Sequence, residues 1–225
     1  MPAPLTIVIP TLNAAGALPD TAAALLPGVT SGLVAGLIIS DGGSEDATHS
    51  IAKDLGAELI QGPKGRGGQI ARGVAAAATD WVLILHADTQ LAPGWPDTAS
   101  NHMSVHPETA GYFHLRFRAD GIWPRLVEAG ANWRSKALGL PYGDQGLLIR
   151  RQLLDQIGGI PDVPLMEDVI LAGRLRSKLR PLGLPAETSA DRYEAAGWAR
   201  RVARNLWTLA RFKLGVSPET LARKY

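Results

Sequence analysis

Residues 81–89 read W-V-L-I-L-H-A-D-T, and this stretch limits what the chain can fold into more than any other. Val82, Leu83, Ile84 and Leu85 form a continuous apolar run without alternation, which is how a strand buried on both faces of a parallel sheet reads. The run ends abruptly in polar chemistry. His86 and Asp88 lie two apart, so a strand that persisted would set both on one side, at the carboxyl end where open α/β sheets bind ligands.

A strand of that kind needs helices over both faces, and the upstream sequence supplies them. Leu5 to Pro10 is a β-rich run that stops at a proline, with Thr11-Leu12-Asn13 as a polar hand-over to a loop. Ala17 to Leu26 is an Ala/Leu-rich helix closed by Pro27-Gly28, and Leu33 to Ser40 is a second strand broken by Asp41-Gly42-Gly43-Ser44. Ser44 and Asp46 are capping residues for a helix that stops at Gly56, and its start is expected to leave N–H groups for an anion. Ala57 to Gln61 is a third strand, and Gly65-Arg66-Gly67-Gly68-Gln69 reads as a loop before a helix over 70–78. The order β-α-β-α-β-α-β predicts a parallel sheet covered on both faces.

Beyond Asp88 the expected elements are a helix over 93–105, a strand over 112–117, a helix over 122–138 and a short strand over 147–150. A helical turn over 153–157 and a helix over 166–179 follow, with Glu167 and Asp168 in the first turn of the latter. The tail from Glu194 to Leu214 is one long amphipathic helix, with Trp198, Val202, Leu206 and Leu209 on its apolar spacing. Trp133, Trp198 and Trp207 lie among arginines, where core packing is favoured over a place at a membrane interface. His49, His102, His106 and His114 lack metal-ligand spacing and read as surface or satisfied core residues.

With 225 residues, 46% hydrophobic and 20% charged, the chain has the content of one α/β domain. It has no cysteine, which excludes a thiolate nucleophile or metal ligand. The opening M-P-A-P-L-T-I-V-I-P has no basic stretch, so no signal peptide is expected. No apolar run reaches the roughly 20 residues of a membrane span, and cytoplasmic residence is the expectation. Charge is uneven: residues 1–115 hold 4 Lys/Arg against 10 Asp/Glu, and residues 116–225 hold 19 against 11. The basic half is expected to face an anion or an anionic surface, and the C-terminal segment to make peripheral contact with an anionic membrane at its inner face.

Taken alone, Asp41-Gly42-Gly43-Ser44 is equally well a tight turn with a helix cap. Glu167-Asp168 is equally well a pair of acids favoured by a helix dipole. The combination says more. Asp41 to Thr48 resembles the D-G-S-x-D-x-T element of family-2 glycosyltransferases with the GT-A fold, and Pro10 to Asn13 resembles their first-strand P-x-x-N. Leu85-His86-Ala87-Asp88 stands in the place of their D-x-D, and Met166-Glu167-Asp168 matches their E-D. Pro141-Tyr142-Gly143-Asp144-Gln145, Pro164 to Asp168 and Leu214 to Pro218 look like the bacterial subgroup called radical-SAM/selenodomain-associated transferase 2.

The resemblance implies a GT-A type, Rossmann-like, mostly parallel sheet flanked by helices, in one domain spanning residues 1–225. Residues 1–90 would be its nucleotide-binding half, 91–190 its acceptor-binding half and 191–225 an amphipathic C-terminal segment. It implies an inverting transfer, of a hexose by expectation, from a UDP- or GDP-linked sugar to a hydroxyl acceptor. Mg²⁺ or Mn²⁺ would be held by Asp88 and His86, and the diphosphate charge is what such an ion meets. Asp168 would be the general base and Glu167 its neighbour. Pro10, Thr11, Asn13, Asp41, Gly42, Gly43, Arg66 and Ala87 would line the nucleotide pocket, and Gly143, Asp144 and Gln145 the acceptor side. Two positions depart from the family: His86 replaces the first carboxylate of D-x-D, and Ala14 stands where an acidic residue often follows the asparagine.

Other classes stay open at this point. A nucleotidyltransferase would need a glycine-rich loop directly after the first strand, and a dinucleotide oxidoreductase a G-x-G-x-x-G there; Pro10 to Asn13 is neither. A nucleotide-sugar-binding protein without transfer chemistry is prompted by His86, while Glu167-Asp168 argues against it.

Overall fold

The computed structural model describes residues 3–223. Residues 1–2 and 224–225, the extreme ends of the expected domain and of its C-terminal segment, lie outside the described residues. The first half alternates as expected: β1 (Leu5–Thr11), α1 (Leu18–Thr30), β2 (Val34–Asp41), α2 (Thr48–Asp54), β3 (Glu58–Gln61), α3 (Arg66–Ala76) and β4 (Trp81–Ile84). These four strands are parallel, in the order β3-β2-β1-β4. Alternate residues of each strand serve opposite faces. Leu5, Ile7, Ile9, Leu83 and Leu85 pack with Leu18, Leu25 and Trp95 on one side. Val8, Val82 and Ile84 pack with Ile70, Val74 and Leu171 on the other.

The second half contributes β5 (Thr89–Leu91), α4 (Trp95–Val105), β6 (Ala110–Phe117), α5 (Ile122–Leu138), β7 (Leu147–Arg150), α6 (Arg151–Gln156), α7 (Glu167–Leu175), β8 (Leu179–Thr188), α8 (Asp191–Ala196), α9 (Trp198–Lys213) and α10 (Pro218–Ala222). One eight-stranded sheet results, ordered β3-β2-β1-β4-β7-β6-β8-β5. β7 runs antiparallel to β4, pairing Leu147 with Ile84, so the turn before β7 returns to the carboxyl end of β4. β6 and β8 are parallel to each other, and Thr188 at the end of β8 pairs with Thr89 at the start of β5. The register thereby gathers residues 11, 41, 86–89, 143–146 and 188 at one edge of the sheet.

Several elements differ from the sequence reading. α1 runs through Pro27 to Thr30, because packing of this turn against Trp95 outweighs the lost N–H. Helix α3 begins at Arg66, so the glycines expected in a loop form its first turn. β4 stops at Ile84, and His86 to Asp88 form a turn in which the Thr89 N–H donates to the His86 carbonyl, rather than a prolonged strand. β8 was hidden by Pro181, Gly183 and Pro185; a register shift between Tyr112 and His114 of β6 absorbs both prolines. The long C-terminal helix is broken at Gly197, whose φ of 83° falls in the left-handed region, giving α8 and α9. Of the three tryptophans expected in the core, Trp198 stacks on Tyr193 and meets Phe117 edge-on, whereas Trp133 and Trp207 are each 64% exposed.

Candidate functional site

The turn after β2 is tied to the turn after β1 through Asp41. Its carboxylate, fully buried, accepts hydrogen bonds from Thr11 Oγ1 (2.9 Å), the Gly43 and Ser44 N–H groups (2.9 and 2.8 Å) and Ser44 Oγ (2.5 Å). His49 Nε2 lies 2.8 Å from Oδ1. Burial works against the charge, but His49, Ser44 and Thr11 outweigh it and hold the carboxyl well below its usual range. Asn13, in the left-handed region with φ 53°, accepts from the Glu45 N–H at 2.9 Å, and its own N–H donates to Ser44 Oγ at 2.8 Å. The Thr48 N–H donates to Asp46 at 3.0 Å. The N–H groups expected to await an anion at 43–48 are therefore engaged internally at four positions. Pro10 lies on β1, paired with Ser40.

Gln69 binds this turn pair to α3. Its Nε2 donates to the carbonyls of Thr11 (2.6 Å) and Ser40 (3.1 Å), and its side chain sits against Gly42, where a Cβ would come within 3.0 Å. Sequence reasoning missed Gln69 and the His49 contact, since both act across distant segments of the chain.

Beside this network opens a cleft lined by His86, Asp88, Gly143, Asp144 and Asp168, with Thr188, Arg192 and Tyr193 beyond them and Arg201, Asn205 and Thr208 of α9 closing it. The cavity volume is about 130 Å³, and the cleft is open to solvent on one side. Asp88 and His86 thus face the same cavity although no strand carries them. Among the described residues, Asp88 Oδ1 accepts long bonds from Thr188 Oγ1 at 3.3 Å and Thr89 Oγ1 at 3.4 Å. Nε2 of His86 is shielded from solvent and has no hydrogen-bond partner among the described residues. A Cβ on Gly143 would come within 2.5 Å of that nitrogen, so a larger residue there would push the imidazole aside. Burial, and then Arg66, lower the His86 imidazole to about 4, which keeps it neutral and able to act as a ligand.

Asp168 and Glu167 separate as neighbours on a helix must. Asp168 lines the cleft, with Oδ2 accepting from the Gly143 N–H at 3.0 Å and Oδ1 from the Val169 N–H at 2.8 Å. Glu167 is 1% exposed and turns beneath it onto Arg66 Nε; Arg66 Nη2 also lies 3.7 Å from Asp168. Burial and the adjacent Asp168 push the Glu167 carboxyl up, and Arg66 opposes them. Arg66 is thus held between the acids. Gly67 follows it because a Cβ there would lie 2.6 Å from the Val163 carbonyl.

The structure splits the remaining sequence candidates. Gly143 and Asp144 reach the cleft; burial raises the Asp144 carboxyl to about 6, Arg134 opposing, and its Oδ1 has no hydrogen-bond partner among the described residues. Gln145 lies below the cleft, fully buried, donating to the Phe113 carbonyl at 2.9 Å and accepting from Ser135 Oγ at 2.6 Å. Ala87 lies between the two metal candidates, its carbonyl accepting from Thr21 Oγ1 at 2.8 Å. Thr11, Asp41, Gly42 and Gly43 form the turn network and do not line this cleft. Among the described residues no three His, Cys, Asp or Glu side chains are grouped to hold a metal ion. No helix among them is long and apolar enough to cross a membrane.

Residues 6–157 match the model of the family described as glycosyl transferase family 2. No curated protein matches the chain. Among solved structures, S. aureus TarS 1-349 superposes with a TM-score of 0.66 at 14% identity, over 97% of this chain and 68% of that one. Glucosyl-3-phosphoglycerate synthase from Mycobacterium tuberculosis, in complex with Mn²⁺, uridine diphosphate and glucosyl-3-phosphoglycerate, gives 0.58 at 20% identity, over 83% and 70%. The same enzyme with Mn²⁺ and UDP-glucose gives 0.58 at 20% identity, over 90% and 77%. The curled, mostly parallel sheet between helices is the GT-A arrangement that the sequence motifs implied. The chain is a glycosyltransferase and belongs to glycosyl transferase family 2.

Proposed function

We propose that the protein is an inverting transferase that moves a hexose from a UDP- or GDP-linked donor to a hydroxyl acceptor. The observation that carries this reading is the single cleft in which Asp88 and His86 face Asp168. Glucosyl-3-phosphoglycerate synthase from Mycobacterium tuberculosis, which shares the fold, is solved with UDP or UDP-glucose and with Mn²⁺ or Mg²⁺, which supports the same donor class here. Within this proposal residues 1–90 hold the donor and 91–190 the acceptor, in one domain with 191–225. The subgroup resembling radical-SAM-associated transferases and cytoplasmic residence, with contact at the inner face of the membrane, belong to the same proposal.

Asp88 and His86 would hold a divalent ion. The orphaned, neutral Nε2 and the loosely bonded carboxylate fit such an ion as two donors, with the rest of the shell left to oxygens of the donor. When bound, the ion supplies charge to the leaving diphosphate. Asp168, held by the Gly143 and Val169 N–H groups, takes the acceptor hydroxyl proton as the oxygen attacks the anomeric carbon from the face opposite the leaving group. Glu167 orients Arg66 beneath it. The turn network of Thr11, Asn13, Asp41, Gly42 and Gly43, with Pro10 and Ala87, shapes the donor side, and a donor phosphate competes for Arg66. Gly143 and Asp144 meet the acceptor from above Gln145.

A thermal-shift panel of nucleotide diphosphates and their sugars, with and without Mg²⁺ or Mn²⁺, tests the donor class. A ligand at ~100 times its dissociation constant raises stability by about 2.7 kcal/mol. Asp88→Ala is expected to remove the metal-dependent part of the shift and His86→Asp to keep it while moving preference toward Mg²⁺. An Asp88→Ala protein that responds to donor and metal like the parent overturns the assignment.

A further inference from the structure

We propose that the outward faces of α5 and α9 form a docking surface for an anionic lipid bilayer. α5 buries Pro124, Glu128, Ala131 and Ser135. The opposite side of its wheel carries Ile122, Leu126, Ala129 and Trp133 at i, i+4, i+7 and i+11, all exposed, with Ile122 at 71% and Trp133 at 64%. A surface helix is expected to be polar on that side; this one is apolar outward along its length.

α9 repeats the arrangement beside it, since the two helices pack together. Arg201, Asn205 and Thr208 turn toward the cleft. About half a turn away, Ala203, Trp207, Ala210 and the following Leu214 are exposed, Leu214 at 83%. Exposed Lys136, Arg200 and Lys213 accompany the two apolar stripes. Apolar stripes with outward tryptophans and cations alongside are the pattern of helices lying in a lipid interface.

Charge complementarity selects the occupant. The exposed charged side chains of α5 and α9 are Arg125, Lys136, Arg200, Arg204 and Lys213, while Glu128 is buried and α9 carries no acid; a second copy brought face to face would oppose like charge, whereas anionic headgroups attract it. This goes beyond the expectation for the C-terminal segment, because α5 supplies half of the surface. It rests on the transferase reading in one respect only: α9 walls the cleft on one side and faces lipid on the other, which fits a hydroxyl acceptor carried on a lipid.

The test is flotation of the full chain with vesicles of equal parts phosphatidylglycerol and phosphatidylcholine, and with phosphatidylcholine alone. Binding to the anionic vesicles is expected, with loss at high salt. Leu126→Ser/Trp133→Ser on α5 and Trp207→Ser on α9 are each expected to weaken it about tenfold or more, and Arg200→Glu/Lys213→Glu by a similar factor. These positions are exposed, and unchanged circular dichroism and an unchanged thermal shift with nucleotide diphosphate and Mn²⁺ show that the variants keep fold and cleft. Equal binding to both vesicle types, indifference to the α5 variant, or absence of flotation with dimers that the same variants dissolve each overturns the proposal. Flotation does not depend on turnover, so its failure and a failure of sugar transfer are separable.

Discussion

At the scale of single residues, Asp168 and Glu167 are adjacent yet do different work, and the difference predicts their variants. Asp168 lines the cleft while Glu167 is buried on Arg66. Asp168→Asn is expected to slow transfer by at least roughly 10²-fold with donor affinity within a few fold, because a base acts in the transition state. Glu167→Gln is expected to be milder; steady-state transfer with separate donor titration checks both, and an inactive Glu167→Gln beside an active Asp168→Asn exchanges the roles. Asp144 predicts a pH effect. Its folded value of about 6 lies above its ordinary 3.8, so between those values the folded form keeps a proton that the unfolded chain has lost. Its contribution therefore favours folding below that window, declines as pH rises through it, and is a fixed cost above about 6. Asp144→Asn is expected to raise neutral-pH stability by on the order of 1–3 kcal/mol and to flatten that slope, read from urea midpoints on either side of the window. The placing of Asp88 and Asp168 at one cleft was legible in the sequence because motif order and spacing mark them. Gln69 and the Asp144 environment were not: Gln69 acts on a carbonyl 58 residues away, and burial of a carboxyl has no local sequence signature.

At the scale of elements, the first four strands were legible because each is a short apolar run bounded by turn chemistry, and parallel order follows from the helices between them. β8 was not, since two prolines and a glycine contradict a strand locally and only its pairing with β6 and β5 reconciles them. The outward apolar faces of α5 and α9 were also out of reach, because periodicity reports that a stripe exists and not which side the sheet covers. Two glycines show what each element tolerates. Gly67 in the first turn of α3 meets the carbonyls of Pro161 and Val163, whereas Gly130 in α5 has open space around the place of a Cβ. Gly67→Ala is expected to destabilise by about 1–3 kcal/mol and Gly130→Ala to stabilise by about 0.5–1 kcal/mol. Chemical denaturation of the two variants beside the parent measures both signs, and equal shifts in one direction contradict the packing described for α3.

At the scale of the whole molecule, the two halves meet through ion pairs as well as through the sheet, and the most deeply buried of these joins Arg66 to Glu167. Arg66 starts the helix that follows β3, and Glu167 starts α7, 101 residues later. Glu167 is almost wholly buried and its Oε2 has no hydrogen-bond partner among the described residues, so Arg66 is what compensates its charge. Removing one member of a buried pair costs about 3–5 kcal/mol, because a desolvated charge is left behind, whereas replacing both by apolar groups of similar size is often close to neutral. Arg66 is 30% exposed along its side chain, which places its own loss toward the lower end of that range. Arg66→Met alone is therefore expected to destabilise by about 3 kcal/mol, and Glu167→Met alone by less, since the arginine left behind reaches water. Arg66→Met/Glu167→Met is expected to recover most of the larger loss. A double-mutant cycle from urea unfolding at neutral pH measures the coupling, and additivity within about 0.5 kcal/mol shows that the pair does not join the halves. Coupling of the expected size shows that Arg66 helps to hold Glu167 and with it the first turn of α7, which also carries Asp168.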